Sequence, residues 1–175
     1  NSHNWYGFIT NYTTKLGDNI EANFGLDGRT YNGIHFRTPV NFLGLSSYRG
    51  ATKAVSYNPW EVLGDIQTGD RSDYAISYDY EEIINYLGAF VSLEQVNDNS
   101  SYYLSANYST QSHQKEDFFF NYGKMPKVTN DGYNVKVGGS VDLSENSKAY
   151  ANFGFYDRQP FHSNLFSNER YSNDL

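Results

Sequence analysis

Four histidines, His3, His35, His113 and His162, are the first side chains to weigh for chemistry, because imidazole binds metals and moves protons near neutral pH. They are dispersed along the chain, and none has a partner at metal-ligand spacing. Each reads as a surface or loop histidine. Serine is plentiful, but no Gly-x-Ser-x-Gly elbow is present to expose one as a nucleophile. Asp70, Asp73 and Asp79 lack the ordered ligand spacing of a calcium loop and read as solvated loop acids. Gly138-Gly139 lies inside an alternating run, where glycine serves close approach or curvature rather than phosphate binding. The chain has no cysteine, which removes disulfides, thiol chemistry and cysteine-based zinc sites. No catalytic constellation, cofactor or metal site is expected, and the chain does not read as an enzyme.

The charged residues are informative through their placement. From Ile20, the even positions read Ile20, Ala22, Phe24, Leu26 and Gly28, while the odd ones read Glu21, Asn23, Gly25, Asp27 and Arg29. That is a strand with charge on one face only. Further runs alternate in the same way. Leu87, Ala89, Val91 and Leu93 oppose Tyr86, Gly88, Ser92 and Glu94, and Tyr102, Leu104, Ala106 and Tyr108 oppose Tyr103, Ser105, Asn107 and Ser109. Tyr133, Val135, Val137 and Val141 oppose Asn134, Lys136, Ser140 and Asp142; Ala149, Ala151, Phe153 and Phe155 oppose Tyr150, Asn152, Gly154 and Arg158. The first run is less clean: Tyr6, Phe8, Tyr12 and Leu16 oppose Gly7, Asn11 and Lys15, with Trp5 and Ile9 on the polar side.

Three turn signals join these runs in pairs: Gly17-Asp18-Asn19, Asn97-Asp98-Asn99-Ser100 and Ser144-Glu145-Asn146-Ser147. Long polar stretches follow each pair, at about 38–74, 115–131 and 159–175. The pattern predicts six strands in three hairpins, with tight turns at one rim and long loops at the other.

Each run supplies the roughly 9–11 residues that a tilted transmembrane strand needs. Aromatic residues make up 18% of the chain and hydrophobic ones only 38%, with 17 Tyr and 12 Phe, a balance suited to interfacial girdles around a wet interior. Trp5, Tyr6, Tyr31 and Tyr133 are placed as girdle residues about one membrane thickness from the nearest turn. The negative mean hydropathy of −0.69 fits a wall that is apolar on one face. No stretch is long and apolar enough for a spanning helix. A net charge of −7 argues against nucleic acid as a partner.

The fold expected is therefore all-β: an antiparallel up-and-down transmembrane β-barrel segment, too short to close alone. Glu21, Asp27, Arg29, Glu82, Glu94, Lys136, Asp142 and Arg158 are expected to face the lumen, where pairing and hydration account for most of them. Tyr31, His35, Arg37 and Trp60 are the candidates for solute contact at the mouth.

Particular strings carry a family resemblance. His3-Asn4-Trp5-Tyr6-Gly7 and the segment from Leu26 to Arg37 (LDGRTYNGIHFR) resemble the middle of the barrel in TonB-dependent outer-membrane receptors. The branch resembled is the large-barrel one that often carries a carboxypeptidase-like domain ahead of its plug. Tyr133 to Gly139 (YNVKVGG) and Ala151 to Phe161 (ANFGFYDRQPF) are similar to later strands of those barrels. The strings occur in the family's order and span nearly the whole chain, least well from Arg49 to Tyr80.

The resemblance implies a wall section from the later half of a barrel of about 22 strands. It also implies energised uptake of a scarce nutrient: a siderophore, vitamin, peptide or glycan. The implied partners are outer-membrane lipid, the remaining strands and plug of the same receptor, TonB through a missing N-terminal part, and a surface lipoprotein capping the barrel. The chain opens at Asn1 without a leader-like segment and shows no plug, TonB-contacting segment or final aromatic-ended strand, so it is expected to be part of a larger receptor of the Gram-negative outer membrane, with the long loops extracellular. Two alternatives stay open: a passive porin wall, and a secreted β-sandwich that binds glycans on its tyrosines. In a sandwich, Leu26, Val91 and Val137 must share a dry interior.

Overall fold

The computed structural model describes residues 1–39, 41, 43–49, 54–56, 75–120 and 123–166. Its elements in chain order are β1 (Ser2–Lys15), β2 (Ile20–Phe36), β3 (Ser47–Arg49), β4 (Ala54–Ser56), β5 (Asp79–Asn97), β6 (Ser100–Asp117), β7 (Gly123–Lys124), β8 (Val128–Ser144), β9 (Ser147–Asp157) and a single helical turn, α1 (His162–Leu165). Six long strands form one antiparallel up-and-down sheet in the order β1-β2-β5-β6-β8-β9, with the short β7 paired to β6. β3 and β4 make a separate two-stranded hairpin. The sheet is not closed: among the described residues, β1 and β9 each have one strand neighbour.

The three hairpins are β1–β2, β5–β6 and β8–β9. Asp98-Asn99 and Glu145-Asn146 form two-residue connections, while Leu16 to Asn19 makes a longer turn in which the Leu16 N–H donates to the Ile20 carbonyl at 2.9 Å. The strands on the loop side run further than alternation alone suggests. Residues 115–117 belong to β6 and 128–131 to β8, so the stretch read as a loop over 115–131 is reduced to a short connection containing β7. Backbone pairing holds these polar ends in the ladder, because a strand neighbour satisfies their N–H and C=O groups whatever their side chains.

Register puts the two faces in order. Ala22, Leu93, Leu104, Val137 and Phe153 lie on one rung, and Phe24, Val91, Ala106, Val135 and Phe155 on another. This apolar face is open. Leu26 is 49% exposed, Val91 43% and Val137 49%, and among the described residues no second layer packs on them. The shared dry interior required of a sandwich does not form there.

The belt also slants. Its first Asn or Asp toward the loops is Asn4 on β1, Asn85 on β5, Asp131 on β8 and Asp157 on β9. Followed rung by rung, Asp157 pairs with Tyr133, then Tyr108, Ala89, Leu26 and finally Thr10. Thr10 lies six residues from Asn4, so the edge of the belt moves 10 − 4 = 6 residues over five strand-to-strand steps. At roughly 3.3 Å per residue and 4.8 Å between strands, a level belt requires strands tilted by about 40°. Barrel walls tilt by about 35–45°.

Candidate functional site at the loop end of the polar face

The polar face carries the charged residues in ranks. Lys15, Glu21 and Glu94 are direct rung partners, and Arg29 reaches Asp27 at 3.2 Å while stacking over the Tyr86 ring at 4.6 Å. Lys148 meets Asp142 at 3.3 Å, and Lys136 lies 5.4 Å from the Tyr156 ring centre. Glu21, Asp27, Arg29, Glu82, Glu94, Lys136 and Asp142 thus share the face opposite the belt. Arg158 falls just past β9, so no rung fixes its face; its guanidinium sits 4.6 Å from the Phe161 ring centre. Trp5 and Tyr31 are rung partners on this same polar face, with ring centres 4.7 Å apart, so these two are not belt aromatics.

At the loop end of this face the strands bring all four histidines together. His3 Nδ1 lies 2.7 Å from the Tyr31 hydroxyl, which lies 3.2 Å from His35 Nε2. His35 Nε2 approaches Glu82 Oε1 at 3.0 Å, and His162 Nε2 approaches Glu82 Oε2 at 3.0 Å. His162 Nδ1 faces His113 Nδ1 at 3.2 Å. These contacts join β1, β2, β5, α1 and β6. The reading as a surface or loop residue holds for His3, which is exposed, and is corrected for the other three: His113 is 1% exposed in mid-sheet, and His35 and His162 are largely covered. Distance along the chain misled, because an antiparallel ladder sets remote residues side by side. His3 pairs with Gly33, Gly33 with Glu82 and Glu82 with Lys115.

Gly33 makes the contact between Tyr31 and His35 workable. It lies between them on the same face, and a Cβ there would overlap the Tyr31 hydroxyl and come within 2.7 Å of His35 Nε2. His35 stacks on Tyr80 at 4.9 Å, and Lys115 Nζ caps the same Tyr80 ring at 4.3 Å.

α1 reaches the cluster by folding back from the end of β9 over the polar face. Gln159 Nε2 donates to the Ser109 carbonyl at 3.0 Å and the Ser109 Oγ at 2.6 Å. Gly132 leaves the space that the Gln159 amide fills; a Cβ there would stand 2.8 Å from it. Leu165 and Phe166 bury against Met125 and Val128. Burial is the main force holding the His162 imidazole well below its ordinary value, down to about 3, with His113, Lys115 and His35 adding repulsion against a further positive charge. The Glu82 carboxylate is close but outside hydrogen-bond geometry toward His162 Nε2, so burial outweighs it. His113 Nε2 is also buried without a hydrogen-bond partner.

Of the mouth candidates, Tyr31 and His35 are members of the cluster. Arg37 lies beyond the end of β2, with its N–H donating to the Tyr78 carbonyl at 3.1 Å. Trp60, Asp70 and Asp73 lie outside the described residues. Glu82 was expected on this face, whereas His3, His113, His162 and Gln159 were not expected in a shared site. Among the described residues, no group of three or more is arranged to hold a metal ion. No protein family, curated protein or solved structure matches the chain.

Proposed function

We propose that this chain is a section of the wall of an outer-membrane β-barrel of the TonB-dependent receptor type, serving energised uptake of a scarce nutrient. The observation that carries the membrane part is the open apolar belt, which crosses all six long strands and slants at the rate a tilted wall requires. Strand length supports it as well: β2, β5, β6 and β8 run to 17–19 residues, long enough to cross and extend beyond a bilayer. The receptor type rests on the resemblance of the strings at residues 3–7, 26–37, 133–139 and 151–161. A siderophore, vitamin, peptide or glycan is the cargo class, and the rest of the barrel, its plug, TonB and a capping lipoprotein are the partners this reading assigns.

The test is site-by-site accessibility in the full-length protein, reconstituted in lipid vesicles. Single spin labels placed in turn at residues 102–109 of β6 should alternate, with Tyr102, Leu104, Ala106 and Tyr108 reached by oxygen from the lipid. Tyr103, Ser105, Asn107 and Ser109 should be reached by a water-soluble nickel reagent. Uniform access of the nickel reagent to all eight positions would sink the membrane reading. For the receptor part, uptake by cells should collapse when the proton-motive force is removed; uptake unaffected by that treatment would favour a passive porin.

A further inference from the structure

We propose that α1 and the residues leading into it form a proton-released latch on the polar wall: docked, the His113–His162 pair accepts fewer protons than it does when the segment is free, so acidification lifts Gln159–Phe166 off the wall. The proposal goes beyond uptake itself, and it rests on the membrane reading only in treating the polar face as the inside of a mouth.

The argument begins with the two facing nitrogens. His113 Nδ1 and His162 Nδ1 are 3.2 Å apart, so a single hydrogen must lie between them. With both rings neutral, one of the two Nδ1 atoms donates to the other, and His162 Nε2 lies 3.0 Å from the Glu82 carboxylate but outside hydrogen-bond geometry. A first extra proton fills the remaining ring nitrogen, so that both Nε2 atoms carry hydrogen, and both are buried without a hydrogen-bond partner to stabilise the charge. A second extra proton has to place N–H against N–H at 3.2 Å, which breaks the contact. The free segment has neither restriction, because a solvated imidazole takes its proton near pH 6.5.

The remaining neighbours do not relieve the pair. From β6, Lys115 adds a positive charge. From β5, Glu82 is the one carboxylate at hand, and its other oxygen is already engaged by His35 of β2. Tyr31 of β2 and Tyr80 of β5 bring hydroxyls without compensating charge, and His3 of β1 is held by Tyr31. Asp117, further along β6, sits two residues beyond Lys115 on the same face and binds the Phe120 N–H at 2.9 Å. Burial of the His162 ring works in the same direction as the geometry.

The sign follows from linkage. The docked imidazole binds its proton less readily than the free one, so docking is fully favourable above about pH 6.5 and weakens as pH falls below it. Each proton gained on release shifts the equilibrium about tenfold per pH unit. Gln159 at one end and the Leu165–Phe166 anchor at the other make the segment move as a unit.

The chain contains no cysteine, so labels can be placed in it at will. Spin labels at Ser163→Cys on α1 and Asn146→Cys in the far turn report the separation in the full-length protein, reconstituted in vesicles. Between pH 7.5 and 4.5 a second, displaced population should grow about tenfold per pH unit below 6.5. The double variant His113→Gln with His162→Gln should show no pH dependence, whether its segment stays docked or is displaced throughout. A wild-type separation that does not change over this range overturns the latch, as does the same pH profile in the double variant. The labels read this without reference to lipid, so failure here leaves the wall assignment standing, and failure of the accessibility pattern leaves the pH result standing.

Discussion

Whether the cluster forms at all depends on small residues placed where larger ones would intrude. Gly33 and Gly132 have the same role at two places: one lets Tyr31 meet His35, the other admits the Gln159 amide. Gly33→Val is expected to separate the two rings and to destabilise the fold by about 1–3 kcal/mol, the usual cost of overpacking. Denaturant midpoints in lipid vesicles check this, and an unchanged midpoint with the Tyr31–His35 contact intact would refute it. Gln159→Ala removes two hydrogen bonds to Ser109 and should weaken docking of α1 by about 1–3 kcal/mol, seen as faster proteolysis after Arg158. Little of this was legible beforehand. The β1–β2 turn allows His3 to be placed beside Gly33, and the Asp98-Asn99 turn places Glu82 beside Lys115. The step from β2 to β5 crosses a long connection whose length carries no register, so the meeting of His35 with Glu82 could not be read. The return of α1 was equally hidden, because His162 follows Pro160 in a segment with no alternation to fix its direction.

At the scale of a strand, alternation decides which face meets which medium, and neighbouring residues should respond in opposite ways. Leu104 lies in the belt and Asn107 on the polar face of the same strand. Leu104→Arg should lower folding stability in a bilayer by about 2–4 kcal/mol, while Asn107→Arg should cost less than about 1 kcal/mol. Equal losses in the two variants, measured as urea midpoints in vesicles, would show that the faces are not in different media. The six long strands and all three hairpins were legible because a period of two, interrupted by Asn, Asp, Gly and Ser, is a local signal. Strand ends on the loop side were not, since residues 115–117 and 129–131 are polar on both faces and only the ladder keeps them in line.

For the molecule as a whole, the two outer edges matter most. Among the described residues, β1 and β9 have no strand partner along their outer sides, beside an apolar face that no other described residue covers. Such edges recruit further strands. The 175-residue chain expressed alone is therefore expected to be insoluble in the absence of detergent or lipid; a stable soluble monomer, seen as a single species in sedimentation, would overturn that expectation. The size of the opening is set from within. A helical segment with its side chains is about 10–12 Å across, and α1 sits against the polar wall through His113–His162, with Leu165 and Phe166 buried beside Met125 and Val128. An eight-stranded barrel has an interior that its own side chains already fill. On the barrel reading, a wall bearing α1 on its inner surface must belong to a ring of more than eight strands, so strands from outside this sheet must complete it. α1 thus serves as a gauge of the pore it partly fills.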